Sequence, residues 1–494
     1  MDTVKTLPEI PDVDAPPIKR APWLTHRRLM FFVIGWLVLF AVLSVFVSNP
    51  FQSETSATAT PDYARVMFLH GLLIGMVGLL ALLACQVMRL RSTHIRIWIT
   101  GGVVVATILA AVGGIWDRSI PGSEVPMWTQ IFGFFALDEI LLLLLLGIIG
   151  EWHARSQAVH PLPYLAAALA AASMFIAAIM GHLAGWIMEF GPNFPPAIGN
   201  YLKFAGFASS DDFTGALVGS HSHEMAVAVM AMIAILLALQ FGYSASKGVS
   251  RALATIGVAM IAAGTVVVTA MYVTAAFTTW SPPAWFVSGP AGVNGIASDA
   301  VISGILVMGG GLLVAGALVV GRWLLRRPTR LAAAWAWLLS FATVVVAGYA
   351  IEMNTAYFGA GDPKAAGAAN DAVFTWLHQD IGLFLFPAIV LVMLVVERLI
   401  TTRKRRPGMI GWTTIVGTTL VFAGGLVYVF VSPVAYGPGY IIATVGLGVV
   451  GIAILATLWW GMIGAIERAK HVSLPVLGPM EPAEHVKEKE LVSV

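Results

Sequence analysis

Long apolar runs dominate the chain and alternate with short polar segments. Twelve of these runs are close to the length of about 20 residues that an α-helix needs to cross a bilayer. The pattern therefore predicts an all-α, polytopic membrane protein with twelve transmembrane helices. The predicted spans are residues 29–48, 65–89, 97–116, 126–149, 163–188, 217–243, 252–276, 293–320, 331–352, 372–396, 411–432 and 440–464.

Composition agrees with this pattern and excludes a soluble enzyme held by a single anchor. Of the 494 residues, 58% are hydrophobic and 11% are charged, whereas soluble domains carry about 25% charged residues. The single cysteine, Cys85, excludes an internal disulfide and a thiolate cluster. A bound metal would therefore have imidazole, carboxylate or thioether ligands.

The polar segments define three regions. Residues 1–22 are polar and Pro-rich, without the apolar core of a signal peptide, and are expected to form a cytoplasmic arm. Residues 23–468 form the twelve-span membrane domain, and residues 469–494 form a charged cytoplasmic tail. We expect the lipid bilayer as the surrounding medium and no nucleic-acid partner.

Basic residues predict the orientation of the spans. Lys and Arg gather in the N-terminal arm and in alternate loops, and such loops face the cytoplasm. Both termini are therefore expected inside, in a multi-pass protein of the inner (cytoplasmic) membrane. The basic loop residues are Arg89, Arg91, Arg96, Lys247, Arg251, Arg322, Arg326, Arg327, Arg330, Arg398, Arg403, Lys404, Arg405 and Arg406.

Five of the eleven histidines fall inside predicted spans. With a rise of about 1.5 Å per residue, all five lie in one layer, about a third of the way in from the outer face. Three of the spans that carry them, the second, sixth and tenth, open with similar motifs, which suggests three four-helix units around a pseudo-threefold axis. The five histidines are His70, His182, His221, His223 and His378.

Two interpretations of these histidines remain open. Each one can be a buried hydrogen-bonding residue between helices, or they can bind haem iron or another metal. The apolar surroundings favour haem over a bare ion. His221 and His223 point about 200° apart on one helix, so they would serve different centres. Glu224, beside them, is a candidate catalytic residue, as a metal ligand, a partner of a metal ligand or a proton carrier.

Other ionisable residues in the spans have similar alternatives. Asp138 and Glu139 are adjacent in the middle of the fourth span, where they form either a proton path or a helix–helix hydrogen bond. Arg65 lies one turn outside His70. It is either an interfacial arginine or a cofactor-binding residue that meets a haem propionate.

The histidine motifs resemble those of subunit I of the haem–copper oxidase superfamily, which includes nitric oxide reductases. Met67-Phe68-Leu69-His70-Gly71 is similar to the family's second-helix motif around the low-spin haem ligand. The segment 371–380 is similar to the tenth-helix motif, in which an aspartate lies seven residues before a His-x-His pair. The sixth-span His-Ser-His-Glu resembles the region of a copper or non-haem iron ligand. The resemblance implies that His378 is the proximal ligand of the active-site haem.

The chain departs from the family pattern in ways that disfavour a conventional copper-containing oxidase. Asp380 replaces the second histidine of the tenth-helix pair, which makes it a further candidate for the proton path. The seventh span has no His-His pair. In this chain the His-x-His pair lies on the sixth span, one four-helix unit before its place in the family. If the sixth span takes over the role of the tenth, His70 shares a haem with His221 or His223. The remaining histidine then pairs with His378 or serves a second centre with His182.

The sequence thus predicts a divergent relative of that superfamily. The expected function is a haem-binding membrane oxidoreductase or electron-transfer protein that acts on a small molecule such as nitric oxide or dioxygen. One or two b-type haems are expected, with a possible second non-haem metal, iron or copper. Cytochrome c, a cupredoxin, quinol or a partner subunit would donate electrons. The alternative is a membrane transporter or a gas or metal sensor that uses the same histidines for a metal ion or proton.

Overall fold

A computed structural model describes most of the predicted membrane domain. The described residues are 29, 33–35, 63–119, 124–155, 161–190, 206–207, 209–241, 243, 246–278, 295–324, 327–357, 372–399, 406–431 and 437–471. Within these ranges every regular element is helical. The two terminal segments predicted as cytoplasmic arm and tail lie almost wholly outside the described residues.

The described helices follow one another along the chain. We number them α1 to α11 in chain order, with π1 for one π-helical segment. They are α1 Tyr63–Val87, α2 Thr93–Ser119, α3 Glu124–Arg155, α4 Leu162–Phe190, α5 Ser210–Phe241, α6 Gly248–Phe277, α7 Gly295–Val320, α8 Pro328–Tyr357, π1 Ala372–Leu385, α9 Phe386–Leu399, α10 Arg406–Phe430 and α11 Pro438–His471.

The helices confirm a multi-pass membrane architecture in its coarse form. Among the described residues, eight helices are long and apolar enough to cross a bilayer, namely α2 to α6, α8, α10 and α11. Three shorter apolar stretches, Leu73–Val87, Gly304–Val320 and Ile381–Glu397, coincide with the predicted second, eighth and tenth spans. The predicted first span lies mostly outside the described residues. The count of twelve, the pseudo-threefold arrangement and the orientation therefore remain predictions.

Helix α5 forms the centre of the bundle. Within an 18-residue apolar window of this helix, 78% of the residues are buried, the highest share among the eight spans. It packs against α1, α4, α6, α7, α9 and π1. The helix is capped at its start, where the Ser209 hydroxyl accepts a hydrogen bond from the Asp212 backbone N–H at 3.1 Å. Side chains on opposite faces of α5 can therefore meet different neighbouring helices.

Glycines allow several of the other helices to pack closely. A Cβ at Gly257 in α6 would lie 2.5 Å from the carbonyl oxygen of Gly310 in α7. Between α10 and α11, a Cβ at Gly446 would lie 2.8 Å from the Gly417 carbonyl oxygen. Small residues at such contacts are typical of helices that associate inside a membrane. They hold these helix pairs together without any large side chain between them.

A buried ion-pair network ties the start of α8 to the end of α9. The carboxylate of Glu397, 4% exposed, accepts hydrogen bonds from Arg327 Nη1 at 3.0 Å, Arg330 Nε at 2.6 Å and Thr329 Oγ1 at 2.7 Å. Because buried charges are stable only when paired and hydrogen-bonded, this network fixes the position of α9 and the π1 segment that precedes it.

Candidate functional site

The side chains of His70 in α1 and His221 in α5 approach each other across the helix interface. Their imidazole rings are nearly parallel, with an angle of 6° between planes and 6.1 Å between centroids. This separation is too large for direct stacking. Parallel planes at this distance are compatible with two imidazoles that each bind the same metal ion through a nitrogen, in the plane of the ring.

The same separation suits two ligands on opposite sides of one metal ion. With a metal–nitrogen bond of about 2.0 Å and a ring radius of about 1.1 Å, two such imidazoles have centroids about 6.2 Å apart. Haem iron needs only two protein ligands because the macrocycle supplies the other four. The arrangement of His70 and His221 therefore fits axial ligation of a haem.

Backbone and glycine contacts from α4 hold the ring of His221. Its Nδ1 lies 2.7 Å from the carbonyl oxygen of Ala177, so Nδ1 carries the proton and donates it to this carbonyl. Nε2 is then the nitrogen with a lone pair, as in histidines that ligate metals. Gly181 packs against the same ring, and a Cβ there would lie 2.6 Å from His221 Nδ1 and Cε1.

His223 serves the other side of α5, as the helical geometry predicts. Its Nδ1 lies 2.8 Å from the Gly219 carbonyl oxygen, which again leaves Nε2 as the basic nitrogen. The ring lies beside Tyr272 of α6, with 5.6 Å between centroids and 15° between planes. His378 of π1 is a neighbour of His223. The two histidines of α5 thus have different partners.

The segment that carries His378 departs from regular α-helical geometry. Ala372–Leu385 is π-helical over 14 residues, and Ser340 of α8 donates a hydrogen bond at 2.6 Å to the Gly382 carbonyl oxygen in this segment. π-Helical turns are rare and occur frequently at functional sites. The distortion supports a functional role for the region around His378.

His182 pairs with a carboxylate instead of another histidine. Its Nδ1 lies 2.8 Å from Asp138 Oδ2, and both side chains are mostly buried. Phe135 stacks on the His182 ring, with centroids 4.8 Å apart. Phe134 contacts both His182 and His70, with centroids 5.9 and 5.6 Å apart. Through Phe134 this pair adjoins the His70–His221 site.

Glu224 is fully buried between α4, α5 and α6. Its Oε1 accepts a hydrogen bond from Ser173 Oγ at 3.1 Å, and the Thr269 hydroxyl is another polar neighbour. Among the described residues its Oε2 has no hydrogen-bond partner. Since a buried carboxylate without a cation is costly when ionised, this site favours a group that carries a proton.

The structure separates the two adjacent carboxylates of α3. Asp138 points to His182, whereas Glu139 lies on the exposed side of the helix. The side chains of Arg65 and Asp380, predicted to meet a haem propionate and to belong to a proton path, lie outside the described residues. Those two assignments stay predictions.

Several residues at the site were not singled out from the sequence. Ala177 contributes only a carbonyl and Gly181 only the absence of a side chain, so neither gives a signal in a single sequence. Ser173 and Phe134 look like ordinary residues of apolar helices. Tyr272 carries a hydroxyl group in an otherwise apolar span, and of these residues it alone has a feature in the sequence that indicates a role at the site.

No cluster of three or more His, Cys, Asp or Glu side chains that could hold a bare metal ion is found in the described part of the chain. His70 and His221 instead approach each other as a pair. Two protein ligands are enough to bind haem iron on both sides of the macrocycle, whereas a structural metal ion such as zinc takes about four protein ligands. The predicted non-haem metal gains no ligand set from the described residues.

Comparison with known proteins gives no relative of this chain. No family model matches the sequence, and no curated protein or solved structure matches it either.

Proposed function

We propose that the protein is a haem-binding integral membrane oxidoreductase or electron-transfer protein of the haem–copper oxidase type. The observation that carries this proposal is the parallel arrangement of His70 and His221, with ring centroids 6.1 Å apart. The hydrogen bond from His221 Nδ1 to Ala177 supports it, because it directs the basic nitrogen away from α4. A haem bound there would supply one-electron chemistry.

The residues around this pair position the ligands and exclude water. Phe134 packs beside His70, and Gly181 lets α4 approach the His221 ring. The Asp138–His182 pair lies next to them and would form part of a proton path to the site. Electron and proton movement would thus be coupled at the junction of α3, α4 and α5.

A second centre is proposed on the opposite side of α5. His223 and His378 supply imidazoles there, and the π-helical geometry of Ala372–Leu385 supports a functional role for this region. Its occupant would be a second haem or a non-haem metal, iron or copper. Glu224, fully buried one residue from His223, would hold the proton that a small substrate such as nitric oxide or dioxygen takes up on reduction.

A second candidate function is a proton- or metal-coupled transporter, or a gas or metal sensor. The Asp138–His182 pair favours it, because paired ionisable groups inside a membrane also mark proton and ion pathways. In that case the histidines would bind protons or metal ions and the protein would be colourless. The two functions therefore differ in an easily measured property.

Electrons would come from outside this chain. The sequence has no Cys-x-x-Cys-His motif for covalent haem attachment. The donor would be a soluble protein such as cytochrome c or a cupredoxin, or quinol, or a partner subunit. The inner membrane, with both termini cytoplasmic, is the proposed location.

An absorption spectrum of the purified full-length protein tests the proposal. Reduced-minus-oxidised difference bands in the Soret and alpha regions, with haem at one or two equivalents per chain, are expected. A carbon monoxide difference spectrum then distinguishes an open haem site from an electron-transfer site. A colourless protein with full helical content would contradict the haem proposal and favour the transporter or sensor.

A further inference from the structure

The exposed side of α3 carries a carboxylate near the middle of its span. The apolar stretch of this helix runs over Trp128–His153, and Glu139 lies near its centre, about 17 Å from the nearer end at about 1.5 Å per residue. The Glu139 side chain is exposed. In a bilayer such a position faces hydrocarbon, where an ionisable group is costly.

Glu139 is distinctive among the membrane-embedded residues that the structure describes. Two conditions set it apart within the eight described spans. Its ionisable side chain is exposed, and it lies more than two helical turns from both ends of its span, which holds for no other ionisable residue of these spans. The other acidic groups in the interior have inward partners, as Asp138 has His182. No described residue forms an ion pair or hydrogen bond with Glu139. Within the described part of the chain, this carboxylate therefore has neither a hydrogen-bond donor nor a cation beside it.

The residues around Glu139 form a continuous apolar surface with a regular spacing. We call Phe132, Phe135, Glu139, Leu142 and Leu146 the α3 outer stripe. Its four apolar members are 58%, 42%, 39% and 50% exposed, respectively. Successive positions are three and four residues apart, the spacing at which two helices pack side by side in a left-handed pair. The stripe thus offers a surface suited to one straight helix.

We propose that the α3 outer stripe binds a transmembrane helix of a partner protein that carries a Lys or Arg side chain opposite Glu139. The apolar members of the stripe would pack against that helix. The basic side chain would pair with the carboxylate, and each group would remove the other from contact with hydrocarbon. The charge of Glu139 decides the chemistry of the partner, since an acidic or purely apolar helix would leave the carboxylate unsatisfied. This role differs from the proton path expected from the sequence, and it does not depend on haem binding.

Fluorescence energy transfer in liposomes tests this proposal. The probe is a polyleucine peptide of about 20 residues with one central Lys, and the reference is the same peptide with Leu at that position. With the full-length wild-type protein we expect the Lys peptide to associate at least tenfold more tightly than the reference. Glu139→Leu should abolish that preference while retaining the absorption spectrum and elution volume of the wild type.

A matched variant tests whether the stripe or only the charge matters. Ile452 is 62% exposed within the apolar stretch of α11, so Ile452→Glu in the Glu139→Leu background moves the carboxylate to another exposed helix. We expect this double variant to show less than half of the wild-type preference. Equal association of both peptides with the wild type, or full recovery in the double variant, would overturn the proposal.

Cysteine cross-linking examines a second copy of the chain as the occupant. Cys85 is the single native cysteine and is buried, so Leu142→Cys adds one accessible thiol on the stripe. With a copper–phenanthroline catalyst and dioxygen as the oxidant, we expect it to form a disulfide with a Cys placed one helical turn from the Lys of the probe peptide. Efficient disulfide formation between two copies of the protein, competing with the peptide, would show that the stripe is a self-association surface and would contradict the proposal.

Discussion

Gly181 lies so close to the His221 imidazole that a Cβ at residue 181 would come within 2.6 Å of Nδ1 and Cε1. The same imidazole donates a hydrogen bond to the Ala177 carbonyl oxygen at 2.7 Å. One turn of α4 therefore fixes both the position and the protonated nitrogen of a proposed haem ligand. Gly181 has no side chain, yet its small size decides where the His221 ring can lie.

Gly181→Ala is expected to displace the His221 ring and break its hydrogen bond to Ala177. Overpacking of this kind lowers the free energy of unfolding by about 1–3 kcal/mol. The low-spin haem signal should also change, since the axial ligand moves. Thermal unfolding in detergent and the absorption spectrum of the variant measure the two effects.

Gly185→Ala provides the control one turn further along α4. A Cβ at residue 185 meets no atom within 4 Å, and replacing a helical glycine by alanine stabilises by about 0.5–1 kcal/mol. This variant should keep the wild-type spectrum and unfold slightly later. If both variants behave alike, the close contact between Gly181 and His221 has no influence on the site.

The Asp138–His182 pair should show energetic coupling. Asp138→Asn and His182→Ala should each lower the free energy of unfolding. In the double variant the loss should be smaller than the sum of the two single losses by about 0.5–3 kcal/mol, as is found for residues in contact. His94, exposed at the start of α2, supplies the comparison, and Asp138→Asn with His94→Ala should be additive within about 0.5 kcal/mol. Additive effects for the first combination would show that the pair is not formed.

The ion-pair network of Glu397 should dominate the stability of the junction between α8 and α9. Glu397→Ala leaves the mostly buried side chain of Arg330 without its carboxylate, and breaking such a pair costs about 3–5 kcal/mol. The Arg327 side chain is 45% exposed, so loss of its pair adds less than about 1 kcal/mol. Thr329→Val removes one hydrogen bond to the charged carboxylate, leaves both arginines in place and should cost about 1.5–3 kcal/mol. Unfolding of both variants in a denaturing detergent measures the difference. Equal small losses would contradict the ranking.

Glu224→Gln is expected to separate proton supply from haem binding. The amide keeps the size of the side chain but cannot release a proton, so haem content should stay unchanged while turnover with nitric oxide or dioxygen falls about 10²–10⁴-fold. Ser173→Ala removes only the hydrogen bond to Oε1 and should slow turnover far less. Loss of haem bands in Glu224→Gln would instead assign the carboxylate a structural role.

The sequence predicts the general architecture because hydrophobic spacing is a local property. The apolar runs at 163–188 and 252–276 correspond to helices α4 Leu162–Phe190 and α6 Gly248–Phe277. The π-helical form of Ala372–Leu385 could not be predicted in this way, since its apolar pattern differs little from that of an α-helix over so short a length. The coarse class of the protein is thus confirmed, and the number of spans stays a prediction.

The candidate site was predictable only in part. The placement of His221 and His223 on opposite sides of one helix follows from their spacing, and the structure gives them separate partners, His70 and Tyr272. The contact of His182 with Asp138 depends on how α3 packs against α4, which a single sequence does not encode locally. The exposed orientation of Glu139 likewise becomes evident only when the neighbours of α3 are known.

The electron paramagnetic resonance spectrum of the oxidised, purified protein tests the central claim most directly. Two imidazoles whose planes differ by 6° predict a resolved rhombic low-spin ferric signal, which should be present in the His94→Ala control and absent in His70→Ala and in His221→Ala. A low-spin signal that persists unchanged in both ligand variants, or a folded wild-type protein with no ferric haem signal, would contradict the assignment of His70 and His221 as the two axial ligands of one haem.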